Sequence, residues 1–249
     1  MSDQSLLLTI AILGGTGKEG KGLAYRWAKA GYRVLIGSRT PEKAKATATE
    51  LKTLLATPTP DTSTLDPLTP RHPDTLDTSD TFFIEGMSNL DAAGKADIVA
   101  LTVPYAAHRK TLEYVKPALQ GKILVDVTVT LVLPKVTKVQ MPPAGSAAQE
   151  ARQILGEDVE VVAAFQNISH ELLLSDNLVA CDVLVCGTSK DARAEVLKLV
   201  AAAGLTGWDA GPIENSMAVE GLTSILIHIN KQYGGTQAGI RITGASQNT

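Results

Sequence analysis

Aromatic side chains supply only 4% of this 249-residue chain, so its interior has to be built from Ala, Val, Ile and Leu. Interiors of that kind suit helices packed on a parallel sheet, whose central strands read as aliphatic runs. Cysteine is nearly missing: Cys181 and Cys186 are the whole supply, both within VACDVLVCG, which reads as a strand. Five positions apart, they point to opposite faces, which excludes a disulfide within a regular strand and leaves two small buried thiols. Neither a secreted disulfide scaffold nor a metal site is implied, and the compartment expected is the cytoplasm. No apolar stretch approaches the ~20 residues that a bilayer demands. The apolar run at residues 6–13, LLLTIAIL, has Asp3 and no Lys or Arg ahead of it and leads straight into GGTG, so it reads as a strand and not as a signal peptide. Long Lys/Arg blocks are missing too, and the formal charge is -3, which argues against nucleic acid or an acidic membrane surface as the main partner.

What is present is a regular alternation. With 44% hydrophobic and 20% charged residues the chain can bury a substantial core. Its length fits a dinucleotide domain of ~150 residues and a smaller companion. Strands are read at 6–13, 33–37, 81–85, 97–103, 122–127, 159–164 and 182–186, and helices at 18–30, 41–56, 89–94, 107–119, 146–155, 190–203 and 215–233. Thr40-Pro41-Glu42 is a strong helix start, with an N-cap residue, proline at the first helical position and an acid in the first turn. The pattern predicts an α/β chain: a Rossmann doubly wound parallel sheet over residues 1–164, then a small, mainly helical C-terminal domain over 165–249. Residues 57–80, dense in Thr, Pro and Asp, read as a flexible surface insertion. The last helix, SMAVEGLTSILIHINKQY, is apolar nearly all round. It is expected to be buried on more than one side, against its own domain or a second subunit, and a homodimer is the natural expectation.

Gly15-Thr16-Gly17-Lys18-Glu19-Gly20 satisfies the G-x-G-x-x-G pattern, and it follows a predicted strand and opens a predicted helix, the setting that makes the pattern specific. Gly15 is expected to form the tight turn, Gly17 to let the backbone approach a pyrophosphate, and Gly20 to let helix and strand pack closely. The free amides and positive end of the helix then hold the phosphates. An NAD site carries an acid at the end of the second strand, but this chain has Gly37-Ser38-Arg39-Thr40 there. A hydroxyl, a guanidinium and a helix end all favour an anion, and Lys43 adds charge one turn later. The nucleotide expected is therefore NADP. Thr102-Val103-Pro104-Tyr105 ends a strand at the carboxyl edge of the sheet, which places Val103 and Pro104 beside the nicotinamide half. The histidines form no catalytic set. His72 falls in the insertion, His108 reads as solvated near a helix start, His228 as an interior hydrogen-bonded residue, and His170 as a candidate for the cleft. No Ser–His–Asp order, metal-ligand spacing or acid pair calls for hydrolysis, and no catalytic residue is assigned.

The segments AILGGTGKEGKGLA (11–24), IGSRTPEKA (36–44), MSNLDAAGKADIVALTVPY (87–105), VVAAFQNIS (161–169), LVCG (184–187) and DAGPIENSMAVEGLTSILIHIN (209–230) together resemble the NADP-dependent reductase family of the deazaflavin coenzyme F-420. The first two are shared by many reductases, whereas the last is more specific to this family. The resemblance implies direct hydride transfer between carbon 4 of a nicotinamide and carbon 5 of the deazaflavin, face to face in a cleft between the two domains. Such a reaction asks mainly for proximity and orientation, since the cofactors carry the chemistry. The resemblance further implies that Thr16, Ser38 and Arg39 hold NADP, that Pro104 lines the nicotinamide side, and that the turn Gln166-Asn167-Ile168 lines the deazaflavin side. The chain departs from the pattern in having Gln166 where the family often has His, and in the insertion at 57–80. The residues alone leave two other readings open. One is an NADPH-dependent reductase of a flavin or of a small imine or carbonyl compound, with His170 or Tyr105 as proton donor. The other is a non-catalytic module that senses NADP.

Overall fold

Strand β1 (Thr9–Leu13) is the centre of the sheet, flanked by β2 (Arg33–Ser38) and β3 (Ile84–Ser88) on one side and by β4 (Ile98–Leu101), β5 (Ile123–Asp126) and β6 (Glu160–Ala163) on the other. The computed structural model describes residues 8–57, 82–175 and 179–246. These six strands are parallel, in the order β3-β2-β1-β4-β5-β6, so the winding reverses between β1 and β4 and opens a crevice at their carboxyl ends. The Rossmann doubly wound sheet expected from the alternation is the observed fold.

Aliphatic strands with both faces covered explain the low aromatic content. On one face, Leu23 and Trp27 of α1 (Lys18–Lys29), Leu51 of α2 (Pro41–Ala56), Leu173 of α6 (His170–Leu173) and Leu199 of α7 (Lys190–Ala202) form one cluster with Ile10, Ile12 and Ile36. On the other, α3 (Asn89–Lys95), α4 (Tyr105–Leu119), α5 (Ala147–Leu155) and α8 (Ser216–Tyr233) contribute Ala92, Leu112, Leu155 and Val219, packed on Leu13, Leu101 and Leu124. Cys181 joins the first cluster and Cys186 the second, so the two buried thiols do sit on opposite faces.

The C-terminal part adds two strands to the same sheet. β7 (Asp182–Gly187) runs antiparallel to β6, but only Gly187 and Cys186 are in register with it, against Val162 and Ala163. The rest of β7 pairs with β8 (Thr206–Pro212) alone. Trp27 reaches across to this part, its indole N–H donating to Leu199 O at 2.9 Å and its ring meeting Phe165 edge-on.

One boundary is shifted and two short elements are added, each for a local reason. β3 begins at Ile84 and continues through Gly86, because a glycine there lets the backbone of Ala44 on α2 come close. β8, TGWDAGP, has no alternation to read; an edge strand tolerates its glycines and proline. α6 is a single turn, too short to carry a period. Of the 57–80 insertion, only Thr57 belongs to the described residues. Among the described residues no helix is long and apolar enough to cross a membrane.

Candidate active site

The glycine turn builds the first half of the site. Gly15 N–H donates to Ile12 O and Gly37 O, and Gly17 N–H to Gly14 O at 2.9 Å, which folds the turn back over the end of β1. A Cβ on Gly15 would lie 2.8 Å from Ile12 O, and one on Gly20 would lie 2.6 Å from the Gly15 Cα. Both positions therefore need glycine for close approach, and α1 starts with amides of its first turn unshared. A groove of about 230 Å³ runs from this turn along the carboxyl ends of the strands. Thr16, Gly17, Ser38, Arg39, Lys43, Val103 and Pro104 line it together, whereas Lys18 and Glu19 of the same motif do not, and Gly15 and Gly20 lie behind the turn.

The second strand delivers its residues for a visible reason. Ser38 is the last residue of β2 and is buried, its Oγ accepting the Thr40 N–H at 3.2 Å, so that its own O–H is left to donate outward. Thr40 occupies the N-cap position of α2 with Pro41 behind it, but its side chain makes no capping bond; Ser38 instead holds the Thr40 N–H itself. Arg39 is exposed and has no partner among the described residues. An exposed fork of donors, a buried hydroxyl and a helix start thus converge where no carboxylate stands, an arrangement suited to a phosphate monoester.

A second cavity, about 460 Å³, opens from the same edge. Gly17, Thr102, Val103 and Pro104 line both spaces, so the two meet along that wall. Lys18, Glu19, Phe165, Gln166, Ile168, His170 and Thr223 complete much of its lining. Its size falls in the range of cavities that enclose a ring system. Of the turn at 166–168, Gln166 and Ile168 face this cavity, whereas Asn167 lines a smaller pocket behind it with Asn230 and Thr236. Gln166 is held by a bond from its Nε2 to Asp126 O at 2.7 Å and by Thr223 Oγ1 donating to its carbonyl, while its own Oε1 has no partner.

Below the cavity floor lies a polar cluster that the sequence reading missed. His108 is not solvated: it is 0% exposed, with Nε2 2.7 Å from Asp126 Oδ2. It was misjudged because its partner is 18 residues away on β5, and helix α4 starts at Tyr105, which turns position 108 inward. Asp126 Oδ1 also accepts the Thr128 N–H at 3.0 Å. Glu150 accepts from Tyr105 and Arg109, and Glu220 of α8 accepts the Ala147 and Ala148 N–H groups at the start of α5. Burial opposes charge on the His108 ring, but the neighbouring Asp126, Glu150 and Glu220 carboxylates outweigh it and shift the ring upward. Burial, with Asp126 nearby, pushes Glu220 up to about 8 against the pull of its two amide donors. Burial and the Glu150 bond push the Tyr105 phenol up to about 12. The signal available was an acid closing an aliphatic strand at the carboxyl edge, KILVDV.

His228 is also corrected. It is exposed, because α8 buries one side only, through Val219, Glu220, Gly221, Ser224 and Leu226. Its other side bares Met217, Ile225, Ile229 and Tyr233.

Residues 9–130 match the family model described as NADP oxidoreductase, coenzyme F-420-dependent. A protein of Methanocaldococcus jannaschii named as an F-420-dependent NADP reductase is 37% identical over 241 residues, 95% of this chain and 98% of that protein. The chain belongs to this family. The family likeness extends to a second F-420-dependent NADP reductase, from Methanothermobacter thermautotrophicus, 34% identical over 96% of each chain. Among solved structures, a hypothetical protein from Sinorhizobium meliloti shares the fold, with a TM-score of 0.62, 19% identity, and coverage of 88% of this chain and 90% of that one.

Proposed function

We propose that the protein transfers a hydride between NADP(H) and coenzyme F-420, with NADP in the groove and the deazaflavin ring in the second cavity. The observation that carries this reading is the shared wall Thr102-Val103-Pro104, where a nucleotide groove and a ring-sized cavity meet. In this assignment Gly15, Gly17 and Gly20 shape the cradle for the pyrophosphate, and Thr16, Lys18 and the start of α1 hold it. Ser38, Arg39 and Lys43 bind the 2′-phosphate. Val103 and Pro104 back the nicotinamide, which supplies the hydride-carrying carbon when bound. Gln166 and Ile168 position the deazaflavin, and Asn167 supports that turn from behind. The residues fit such a pair of ligands: Ser38 and Arg39 keep donors unused, and Gln166 Oε1 is buried without a partner in the second cavity.

Mixed with NADPH, oxidised F-420 is expected to lose its visible absorbance at a rate proportional to enzyme. An unchanged spectrum at saturating concentrations would remove this function. The nucleotide preference has its own test. NADPH should bind at least ~10-fold more tightly than NADH, since a charge-assisted hydrogen bond contributes roughly 1.5–3 kcal/mol. Arg39→Ala should erase most of that difference in calorimetric titrations, and equal affinities in the unmodified protein would contradict the assignment.

In this reading residues 1–164 form the nucleotide part and 165–249 the acceptor and dimer part. Supporting a homodimer is the bare stripe Met217, Ile225, Ile229 and Tyr233 on α8, beside which the exposed Val139 packs on Gly221. Sedimentation should give twice the mass of 26.2 kDa, and a single-chain mass would overturn the dimer. Two buried free thiols accord with a reducing, cytoplasmic setting.

A further inference from the structure

Glu19 occupies an unusual place. It is the second residue of α1, it lines the second cavity beside Pro104 and Gln166, and its Oε1 is enclosed with no hydrogen-bond partner. Within a G-x-G-x-x-G turn this side chain belongs to neither the phosphate cradle nor the helix–strand contact. A carboxylate there would sit in a largely apolar cavity, without a cation to balance it. The titratable groups that share the cavity are Lys18 on the same helix, Tyr105 on α4 and His170 on α6, and none forms an ion pair with it among the described residues.

We propose that the Glu19 carboxyl is the proton-carrying group of the hydride-transfer reaction. The inference rests on the function proposed above. A hydride delivered to a ring carbon of a neutral conjugated acceptor leaves a negative charge that a proton on a ring nitrogen must quench. Glu19 releases its O–H proton to that nitrogen as carbon 5 of the acceptor takes the hydride from carbon 4 of the nicotinamide. The C–H and O–H bonds break, and new C–H and N–H bonds form. The nicotinamide is oxidised by two electrons, the acceptor is reduced by two, and Glu19 remains as a carboxylate beside the ring that has become cationic. Solvent restores its proton, and in the opposite direction every transfer reverses. Tyr105 is unsuited to the task because its phenol is committed to Glu150 at 2.9 Å. Burial pushes the Glu19 carboxyl up to about 8, which keeps it protonated at neutral pH and able to give the proton up.

Carbon-13 labelling of glutamate should show two carboxyls titrating near 8 in the free protein, those of Glu19 and Glu220, of which Glu19→Gln removes the first. Calorimetry in two buffers of different ionisation enthalpy should show proton release when NADP+ binds near that pH, no release with NADPH, and no release in Glu19→Gln. With F-420, the reduction rate should fall as pH rises through about 8. Glu19→Gln should lower it about 100-fold, flatten the pH profile and leave NADPH affinity within about 3-fold. A Glu19 carboxyl titrating in the ordinary carboxylate range overturns the inference. So does an unchanged rate in Glu19→Gln with the loss found in His170→Gln. If the unmodified protein does not reduce F-420, the functional reading fails, while the carboxyl titration and the proton release still judge Glu19.

Discussion

Gly20→Ala is expected to weaken NADPH binding by more than ~100-fold and to lower the stability of the fold by about 1–3 kcal/mol. The added Cβ would lie 2.6 Å from the Gly15 Cα, 2.7 Å from Thr102 Oγ1 and 3.2 Å from Gly14 O. Two of these atoms are backbone, so no rotamer change relieves the contact. The third belongs to a hydroxyl already donating to Leu13 O at 3.0 Å, and swinging it away breaks that bond. The relief left is to lift α1 off the turn by most of an ångström. That movement misaims the amides that face the pyrophosphate, whose alignment is the reason the helix end binds anions. Calorimetric titration with NADPH and a urea melt report the two effects separately. Gly94→Ala on α3, where a Cβ meets nothing within 4 Å, should leave binding unchanged and raise stability by up to ~1 kcal/mol. A Gly20→Ala protein binding NADPH within about 3-fold of the original would show that the close approach of α1 to its strand is not what shapes the cradle.

Asp126→Ala should lower stability by about 3–5 kcal/mol, the usual consequence of leaving one member of a buried charged pair alone. It strands a fully enclosed imidazole and an amide, His108 and Thr128, that no water reaches. The pH dependence has a definite sign. His108 is shifted upward in the folded chain, so its contribution is complete below the free imidazole value of about 6.5 and is lost as pH rises through the higher folded value. Glu220, pushed up to about 8, acts in the same direction: its contribution is complete below the free carboxyl value of 4.5 and lost as pH rises toward 8. The unmodified protein should therefore lose stability as pH rises from roughly 5 to 8. Asp126→Asn should reduce that slope without abolishing it, because it removes a carboxylate that raises both neighbours while the burial that raises Glu220 and Glu19 stays. Urea melts at several pH values decide it, and a slope unaltered in Asp126→Asn would mean that other groups set the dependence.

Much of this architecture was readable from residue order, and the exceptions share a cause. The glycine turn, the serine-arginine tip of β2 and the proline wall are local features, each contained in a few consecutive positions, and one groove gathers them. The pairing of His108 with Asp126, the capping of α5 by Glu220 and the burial of Glu19 are properties of helices meeting strands far away in the chain. Nothing in a window of ten residues marks His108 as interior, since a helix start rich in Ala, His, Arg and Lys looks solvated on its own. His228 failed in the opposite sense. Apolar residues surround it in sequence, yet α8 has more apolar faces than this single chain covers.

The join between β6 and β7 has a mechanical consequence. Two register pairs hold it, whereas β1 shares five with β2 and four with β4. A ladder that thin is the preferred line along which the sheet breathes. Thr223, whose hydroxyl holds the Gln166 carbonyl just beyond β6, forms one lip of the space assigned to the deazaflavin, while the groove assigned to the phosphates is lined only by residues that precede β5. Small shear along the join would loosen the grip on one ligand and leave the other seated. Deuterium should accordingly enter the amides of Ala163 and Cys186 before those of Ile12 and Ala100.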